Sequence, residues 1–394
     1  MKINQWTLGL AGLGLVSLGS VAQAEEKTVP LMTALSSTTL SGYVDTSAVW
    51  NPGTGNANPA PFAFNAGKQD GFNINAVEIS LDKAPTEDAW SAGYHVDLVY
   101  GPDAPGVTGS GFGTSANLKQ AYVDLRVPIG NGLDVKVGRF DTIIGYETFD
   151  GYKNPNYTRS YGYSIEPTEH TGVLATYQIT PSLSISAGVA NTLTTLGINA
   201  RSPRAESAKA YMGSITFTAP ESAGALAGSS LYAGIIDGFG SPGGGGVSGE
   251  DQSNIYVGGT LNTPVKGMKL GASYDQVHHL ASGFGADNGY AQAFGFYISF
   301  DATEKMTING RAEYARGSGL GTALGGFGAT AFRKVFALTG TLDYKLWQNV
   351  VSRAEVRWDH AADGTSPFGG SAATAFAPNK RNDIMVAANL IYKF

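Results

Sequence analysis

The sequence contains no cysteine, so no disulfide bond can stabilise it in any compartment. Charged residues make up only 15% of its 394 positions, the formal net charge is −6, and no cluster of Lys and Arg forms a basic face. This charge distribution argues against a nucleic-acid partner. Hydrophobic residues still account for 42% of the chain, so a low apolar content does not predict disorder.

Long hydrophobic runs are also missing, since no stretch reaches the roughly 18 apolar residues that suggest a transmembrane helix. The start of the chain instead has the pattern of a secretory signal peptide. Lys2 is followed by an apolar stretch, Trp6–Val16, and by a small-x-small triplet, Ala22–Ala24. We therefore expect residues 1–24 to be a signal peptide and residues 25–394 to form a single domain.

Glycine is abundant, with 54 residues, and short segments of alternating polarity recur along the chain. Near the C-terminus, for example, Ala354, Val356 and Trp358 alternate with Arg353 and Glu355. Such alternation places successive side chains on opposite faces of a β-sheet. We predict sixteen strands in this way, near residues 38–51, 71–84, 90–101, 118–129, 133–146, 170–180, 183–192, 208–219, 229–239, 253–264, 268–279, 290–301, 305–316, 334–346, 350–361 and 383–394.

The connections between these segments alternate between short and long. Ile129–Gly132 and Pro181–Ser182 are short, whereas 102–117, 147–169 and 362–382 are long. A soluble β-sandwich would not explain why loop length follows connector parity along the whole chain. The pattern predicts an all-β fold, a transmembrane up-and-down antiparallel β-barrel of about sixteen strands with short periplasmic turns and long extracellular loops.

A barrel of sixteen strands is too wide for side chains to fill, so we expect a water-filled lumen. Inward-facing charged residues are then candidates for lining the pore. They could bias which solutes enter, or they could only form salt bridges along a wet wall, and the sequence leaves both readings open. The candidates are His95, Asp97, Asp124, Arg126, Arg139, Arg311, Glu313, Arg353, Glu355, Arg357 and Asp359.

Motifs for catalysis, cofactors and metals are absent from the sequence. The neighbouring His278 and His279 would point to opposite faces of a strand, and neither an H-E-x-x-H nor a G-x-S-x-G motif occurs. The glycine-rich segment Ser241–Asp251 lacks the Gly-Lys-Ser/Thr ending of a phosphate-binding loop. We therefore expect no enzyme activity, no cofactor and no metal, although strands could assemble a Ser–His pair that sequence does not reveal.

The stretch Val137–Ile179 carries a more specific signal, with Gly-Arg-Phe at 138–140, Gly-Tyr-Glu at 145–147, Asn-Pro-Asn at 154–156 and His-Thr-Gly-Val at 170–173. It resembles the OmpL-like β-barrel porins of outer membranes. The resemblance implies a β-barrel of the cell outer membrane with a general transport role, and it assigns no substrate and no catalytic residue. Together with the expected water-filled lumen, it leads us to expect a channel, contacted by lipid, through which small hydrophilic solutes and ions diffuse passively. Porins of this strand number often form trimers, so a homotrimer is possible. The alternative is a plugged barrel with a structural, adhesive or binding role.

The same stretch raises two structural questions. The face that holds Val135 and Val137 continues into Arg139, so either the membrane band ends near residue 138 or a bulge at Gly138 turns Arg139 into the lumen. The long loop 147–169 could fold inward and narrow the channel, or it could be displayed outside. The sequence does not decide either question.

The chain ends in the middle of an alternating strand, Val386–Phe394. We expect this strand to pair with the first one and close the barrel without a free edge. It also resembles the final strands of outer-membrane barrels in general, which end in Phe and are read by the barrel assembly machinery. This resemblance implies that Tyr392 and Phe394 form an assembly signal.

Overall fold

The computed structural model describes residues 37–53, 56–60, 68, 70–104, 116–193, 198–199, 201, 207–239, 251–280, 289–318 and 333–394. The predicted signal peptide at 1–24 and nearly all of the glycine-rich segment 241–251 lie outside these residues. Within the described part, alternation of side chains produces sixteen strands. They are β1 (Thr39–Trp50), β2 (Gly71–Lys83), β3 (Ala92–Tyr100), β4 (Ala116–Val127), β5 (Leu133–Asp141), β6 (Glu169–Thr180), β7 (Leu183–Ala190), β8 (Ala210–Thr218), β9 (Ser230–Phe239), β10 (Asp251–Asn262), β11 (Met268–Leu280), β12 (Gly289–Asp301), β13 (Met306–Arg316), β14 (Lys334–Tyr344), β15 (Val350–Ala361) and β16 (Asn382–Lys393).

Each strand pairs antiparallel with its neighbours in sequence, and β1 pairs with β16 to close the barrel. Closure leaves no strand edge unpaired, which is the condition for a sheet to cross hydrocarbon. The predicted fold class and the sixteen predicted segments are confirmed. The largest boundary error is at β5, which was predicted to reach residue 146 but ends at Asp141.

The two faces of the barrel differ as the alternation predicts. On β12 the outward residues Phe296 and Ile298 are 62% and 45% exposed. On β13 the inward residues Asn309, Arg311 and Glu313 are buried although they are polar. In the described part of the chain, no helix is long and apolar enough to cross a membrane.

The connection between β5 and β6, residues 142–168, folds into the barrel, and we call it the inner loop. It contains a 3₁₀ turn at Gly151–Lys153 and one short helix, α1, at Tyr161–Ile165. The Ser160 side chain caps α1 by accepting a hydrogen bond from the Tyr163 amide at 3.0 Å. Most side chains of 157–165 are buried. The loop therefore folds inward and is not displayed outside the barrel, which decides between the two possibilities that the sequence leaves open.

No register shift interrupts β5 around Gly138, because pairing with β6 continues unbroken from Leu133 to Asp141. Gly138 itself has a φ of +139°, a backbone conformation that favours glycine. Arg139, the next residue, is 2% exposed, and its guanidinium group donates to the Lys119 carbonyl at 2.9 Å and to Glu169 at 3.3 Å. The bulge at Gly138, which was one of the two expectations, is therefore absent. Instead, a glycine with a positive φ precedes the buried Arg139 within an unbroken strand pairing.

The inner loop packs against a small-residue surface on the inside of β11–β16. Ring atoms of Tyr157 and Tyr161 lie there together with Phe368 from the loop before β16. Alanines on the wall leave room for these rings, so apolar packing fills part of the lumen. The wall residues of this cluster are Val49 on β1 and, on β11 to β16, Val277, Ala291, Ala293, Ala315, Val335, Ala337, Ala361, Met385 and Ala387.

The last residue of the chain completes the β1–β16 pairing. The Phe394 amide donates to the Gly42 carbonyl at 3.0 Å, and the Gly42 amide donates to the Phe394 carbonyl at 3.1 Å. The Phe394 ring is 49% exposed and the outward Tyr392 is 51% exposed. The final aromatic residues therefore lie on the outer surface at the end of the closing pair, where an interfacial girdle is expected.

Deleting Phe394 is expected to lower the amount of folded barrel in the outer membrane, because two backbone hydrogen bonds of the closing pair and the outward ring are lost together. Each such bond contributes roughly 1 kcal/mol. Electrophoresis without boiling separates folded from unfolded barrel and measures the change. Phe394→Ala keeps both backbone bonds and isolates the contribution of the ring. Normal amounts of folded deletion variant would contradict the prediction.

Candidate functional site

Two arginines of β15 bind the backbone of the inner loop. Arg353 donates to the carbonyl oxygens of Gly151 at 2.8 Å and Asn154 at 2.6 Å. Arg357 donates to the carbonyl oxygen of Arg159 at 2.6 Å. Both side chains are almost completely buried. A planar guanidinium group with five donors suits this role, because it can satisfy several buried carbonyls at once.

Arg311 on β13 is the most connected of these anchors. It donates to the Thr158 carbonyl at 2.7 Å, to Glu147 of the inner loop at 2.8 Å and to Glu313 of its own strand at 2.7 Å. A further bond reaches the Arg159 carbonyl at 3.2 Å. Arg311 is 2% exposed, so its charge is compensated by two buried carboxylates instead of water.

Carboxylates on the same wall bind the amides of the inner loop. The two oxygens of Glu355 accept hydrogen bonds from the Tyr157 amide at 2.6 Å and the Thr158 amide at 2.9 Å. Glu313 accepts from the Tyr161 amide at 2.6 Å. Bonds between an amide and a carboxylate are stronger than neutral ones. The wall therefore satisfies donors as well as acceptors of a loop backbone that is mostly irregular.

Asp359 completes this arrangement on β15. It accepts a hydrogen bond from the Tyr161 hydroxyl at 2.8 Å and from Arg357 at 2.9 Å. The Arg357 guanidinium group also lies 5.2 Å from the centre of the Tyr161 ring. The six predicted residues of β13 and β15 are thus brought together under the inner loop. We call the inner faces of β13, β14 and β15 the anchoring wall.

The end of the inner loop is attached by a pair of carboxyl groups. Glu166 and Asp275 on β11 share a hydrogen bond, which requires one of the two carboxyl groups to be protonated. Burial raises the pKa of the Glu166 carboxyl well above its usual range, and the charges of Asp275 and Glu147 raise it further. A Cβ atom at Gly162 would lie 2.4 Å from an Asp275 oxygen, so only glycine lets the loop approach this closely.

On the other side of the lumen the inner loop is held by Lys119 of β4. Its ammonium group lies 2.6 Å from Asp150 of the loop and 3.3 Å from Glu78 of β2. Burial alone would raise the pKa of the Asp150 carboxyl, but Lys119 and Lys153 outweigh burial and hold that pKa well below its usual range. Asp150 is therefore ionised at neutral pH and forms a firm contact with the wall.

A cavity of about 900 Å³ lies on the periplasmic side of the inner loop, along β1 to β7. We call it the periplasmic cavity. In its wall, the two ring nitrogens of His95 lie 2.8 Å from Asp82 and 2.9 Å from Asp97. Gln120 donates to Asp97 at 2.8 Å, and Tyr122 also lines the cavity. Polar groups held by one another in this way form a fixed hydrophilic surface.

Two other predicted residues lie further along the same face of β4. Asp124 is paired in register with Lys136. Near the periplasmic end, one terminal nitrogen of Arg126 donates to both carboxylate oxygens of Asp134 at 2.9 Å. Arg126 keeps 24% of its side chain exposed. The predicted candidates on the anchoring wall are therefore all buried under the inner loop. On the opposite side His95, Asp124 and Arg126 are partly exposed, whereas Asp97 and Arg139 are buried.

Three functional residues escaped prediction from the sequence. The sequence places Glu147 and Asp150 only within a long loop, and it gives Lys119 no position in the lumen. The register between β3 and β4 shifts between Asp97 and Leu98, which leaves Lys119 as an extra residue beside Gln120. The two consecutive polar residues in an otherwise alternating segment were the available signal for this bulge.

No group of three or more His, Asp or Glu side chains suited to a metal ion occurs among the described residues. A closed barrel with an apolar outer surface, a charged interior and a loop bound inside it defines a class, the channels of outer membranes. The chain belongs to the family described as "Putative beta-barrel porin-2, OmpL-like", whose profile matches residues 37–394.

Solved structures share this architecture. The outer-membrane channel DcaP of Acinetobacter baumannii is 13% identical, with a TM-score of 0.59, over 91% of this chain and 97% of its own. The anion-selective porin of Comamonas acidovorans is 13% identical, with a TM-score of 0.58, over 91% and 99%. OmpT of Vibrio cholerae, in its trimer form, is 12% identical, with a TM-score of 0.56, over 91% and 99%. No curated protein matches the chain.

Family and fold together make this protein an outer-membrane porin, a channel for the passive diffusion of small hydrophilic solutes and ions. They are the family and fold of non-enzymatic channels. The alternative of a plugged barrel with an adhesive or structural role is not favoured.

Replacing Arg311 by leucine is expected to loosen the inner loop, because Glu147 is left as a buried charge without its counterion and Glu313 keeps only the more distant Arg357 at 3.9 Å. Breaking a buried ion pair from one side typically costs about 3–5 kcal/mol. Recordings from single channels should show a larger and noisier current. Arg316→Leu, at the exposed outward end of the same strand, serves as the control. An unchanged current in the Arg311 variant would show that this residue does not hold the loop.

Replacing Glu166 by glutamine is expected to remove a pH dependence of the loop attachment. The pKa of Glu166 is raised from an unfolded value near 4.5, so the attachment is strongest below that pH and weakens as pH rises through the raised pKa. The native channel should therefore become noisier as pH rises through the raised pKa of Glu166, while the glutamine variant should not. Glu221→Gln, on an exposed periplasmic turn, is the matched control. The same pH response in Glu166→Gln and in the native channel would refute the assignment.

Proposed function

We propose that solutes cross this porin on the side of the lumen opposite the anchoring wall, along β2 to β7. The observation that carries the proposal is the binding of the inner-loop backbone by Arg311, Arg353 and Arg357. These contacts hold the loop against β13 and β15, while the contact between Asp150 and Lys119 links it to β4. The periplasmic cavity lies beside that link. The loop then sets the width of the passage, and the cavity is its periplasmic half.

The proposal gives the two groups of charged residues different roles. The group on the anchoring wall acts through the loop, because its charges are buried and already bound. His95, Asp124 and Arg126 act on the solute, since they lie partly exposed on the open side, and the buried Asp97 acts by holding His95 in place.

The cavity has a mixed charge. Lys136, Lys153 and Lys393 line it beside Asp82 and Asp97, so opposite charges lie near each other along one wall. A mixed wall of this kind favours weakly biased diffusion of small hydrophilic solutes over strong selection for one sign of charge.

We further propose a homotrimer, export by way of a signal peptide at 1–24, and recognition of Tyr392 and Phe394 by the barrel assembly machinery. The trimer form of the structurally similar OmpT supports the first of these. The outward position of both aromatic residues at the end of the closing pair supports the last.

A single introduced thiol tests the route, because the chain has no cysteine of its own. Ser186 on β7 lines the periplasmic cavity, whereas its neighbour Ala187 faces outward. Labelling Ser186→Cys with a bulky maleimide should reduce the current through the channel, in three equal steps if three channels form one particle. Labelling Ala187→Cys should leave the current unchanged. Verified labelling at Ser186→Cys without loss of current would contradict the proposed route.

A further inference from the structure

Two basic residues lie side by side on the outer surface of the barrel. Arg316, the last residue of β13, is paired in register with Lys334, the first residue of β14. Their neighbours Ala315 and Val335 are fully buried on the inner face, and both basic residues are exposed on the outer one. Like charges directly opposite each other in a sheet are destabilising. The Asp363 carboxylate at this rim accepts hydrogen bonds from backbone amides, including that of Lys334 at 3.3 Å, and forms no ion pair with either side chain among the described residues, so an anion from outside the chain can still stabilise the pair.

The guanidinium group of Arg316 is held in place by its surroundings. Its Nε atom donates to Gln292 of β12 at 2.9 Å, and Gln292 in turn donates to the Tyr274 hydroxyl at 3.1 Å. Among the residues that the structure describes, neither Arg316 nor Lys334 forms an ion pair. An oriented donor group at the surface is better prepared for a ligand than a free side chain would be.

The height of the pair relative to the membrane follows from the residues below it. Tyr314 and Phe336 face outward two positions closer to the middle of the barrel and are paired with each other. Trp358 on β15 packs edge-on against Phe336 at 6.0 Å. We call these three residues the aromatic row. Aromatic side chains of this kind mark the headgroup level of a membrane. Arg316 and Lys334 therefore lie at the headgroups of the outer leaflet, on the side of the long loops.

We propose that Arg316 and Lys334 bind a phosphate group of an outer-leaflet lipid. The arginine fork can hold two phosphate oxygens, and the lysine ammonium supplies a second charge. A lipid fits this surface better than a free phosphate ion, because the aromatic row and the apolar Leu338 below it would contact the chains of the same molecule. This site lies outside the channel, so it is independent of the proposed solute route.

The opposite end of the same two strands provides a matched control. Lys305 precedes β13 and Lys345 follows β14, and the Lys345 amide donates to the Lys305 carbonyl at 2.9 Å. These residues are also exposed, but they lie at the periplasmic turns. The Lys345 ammonium group already donates to the Glu304 carbonyl at 3.3 Å. Removing this pair changes the net charge by the same amount at the other rim.

The test measures lipid binding to the full, folded protein in neutral detergent by native mass spectrometry. Lipid A with both phosphates is the probe, and the same lipid without phosphates and inorganic phosphate are the comparison ligands. The double variant Arg316→Gln/Lys334→Gln should bind lipid A roughly 30-fold more weakly, from about fivefold for each basic residue near an anionic lipid. Lys305→Gln/Lys345→Gln should bind it as the native protein does. Electrophoresis without boiling verifies that both variants are folded.

Four results would overturn the proposal. Equal binding of the native protein and the Arg316/Lys334 variant would exclude these residues. Equal binding of lipid A with and without phosphates would exclude phosphate recognition. Saturation of the site by inorganic phosphate as tightly as by lipid A would make it a simple anion site. Equal weakening by the periplasmic control would have the same consequence, since it would show that only net charge matters.

Discussion

A loop can lie inside a barrel only if its backbone donors and acceptors find partners there. The inner loop is mostly irregular, so it cannot satisfy them through its own secondary structure. The anchoring wall supplies what is missing, with arginines for the carbonyls of Gly151, Asn154 and Thr158 and carboxylates for the amides around Tyr157 and Tyr161. The buried charges compensate each other, which makes their removal from water tolerable.

This constraint divides the lumen. Charges of β13 and β15 are bound to the loop and are not free to attract a solute. The open side carries a different set of polar residues around His95 and Asp97, held by contacts with one another. The conduction properties of the channel thus depend on both walls, one through the position of the loop and the other through direct contact with solutes.

Most of the fold could be predicted from the sequence, because a strand with one face in lipid and one in water must alternate in polarity. The inward position of Arg311 or Glu355 follows from the same alternation. Their partners could not be predicted, since Glu355 meets the Tyr157 amide from 198 positions away and no local pattern encodes that contact. Lys119 was missed for another reason, because a bulge places two consecutive residues on one face.

The outer surface consists of an apolar wall, the aromatic row and the basic pair Arg316 and Lys334. The barrel is therefore adapted to lipid on its outside and to water on its inside. The inside, however, decides whether the channel is narrow.

Hydrogen exchange at the amides of Tyr157, Thr158, Ser160 and Tyr161 tests the binding of the inner loop most directly. If buried carboxylates hold these amides, they exchange as slowly as the amides of neighbouring strands. Exchange within seconds, as in an external loop, would contradict a loop bound across the lumen.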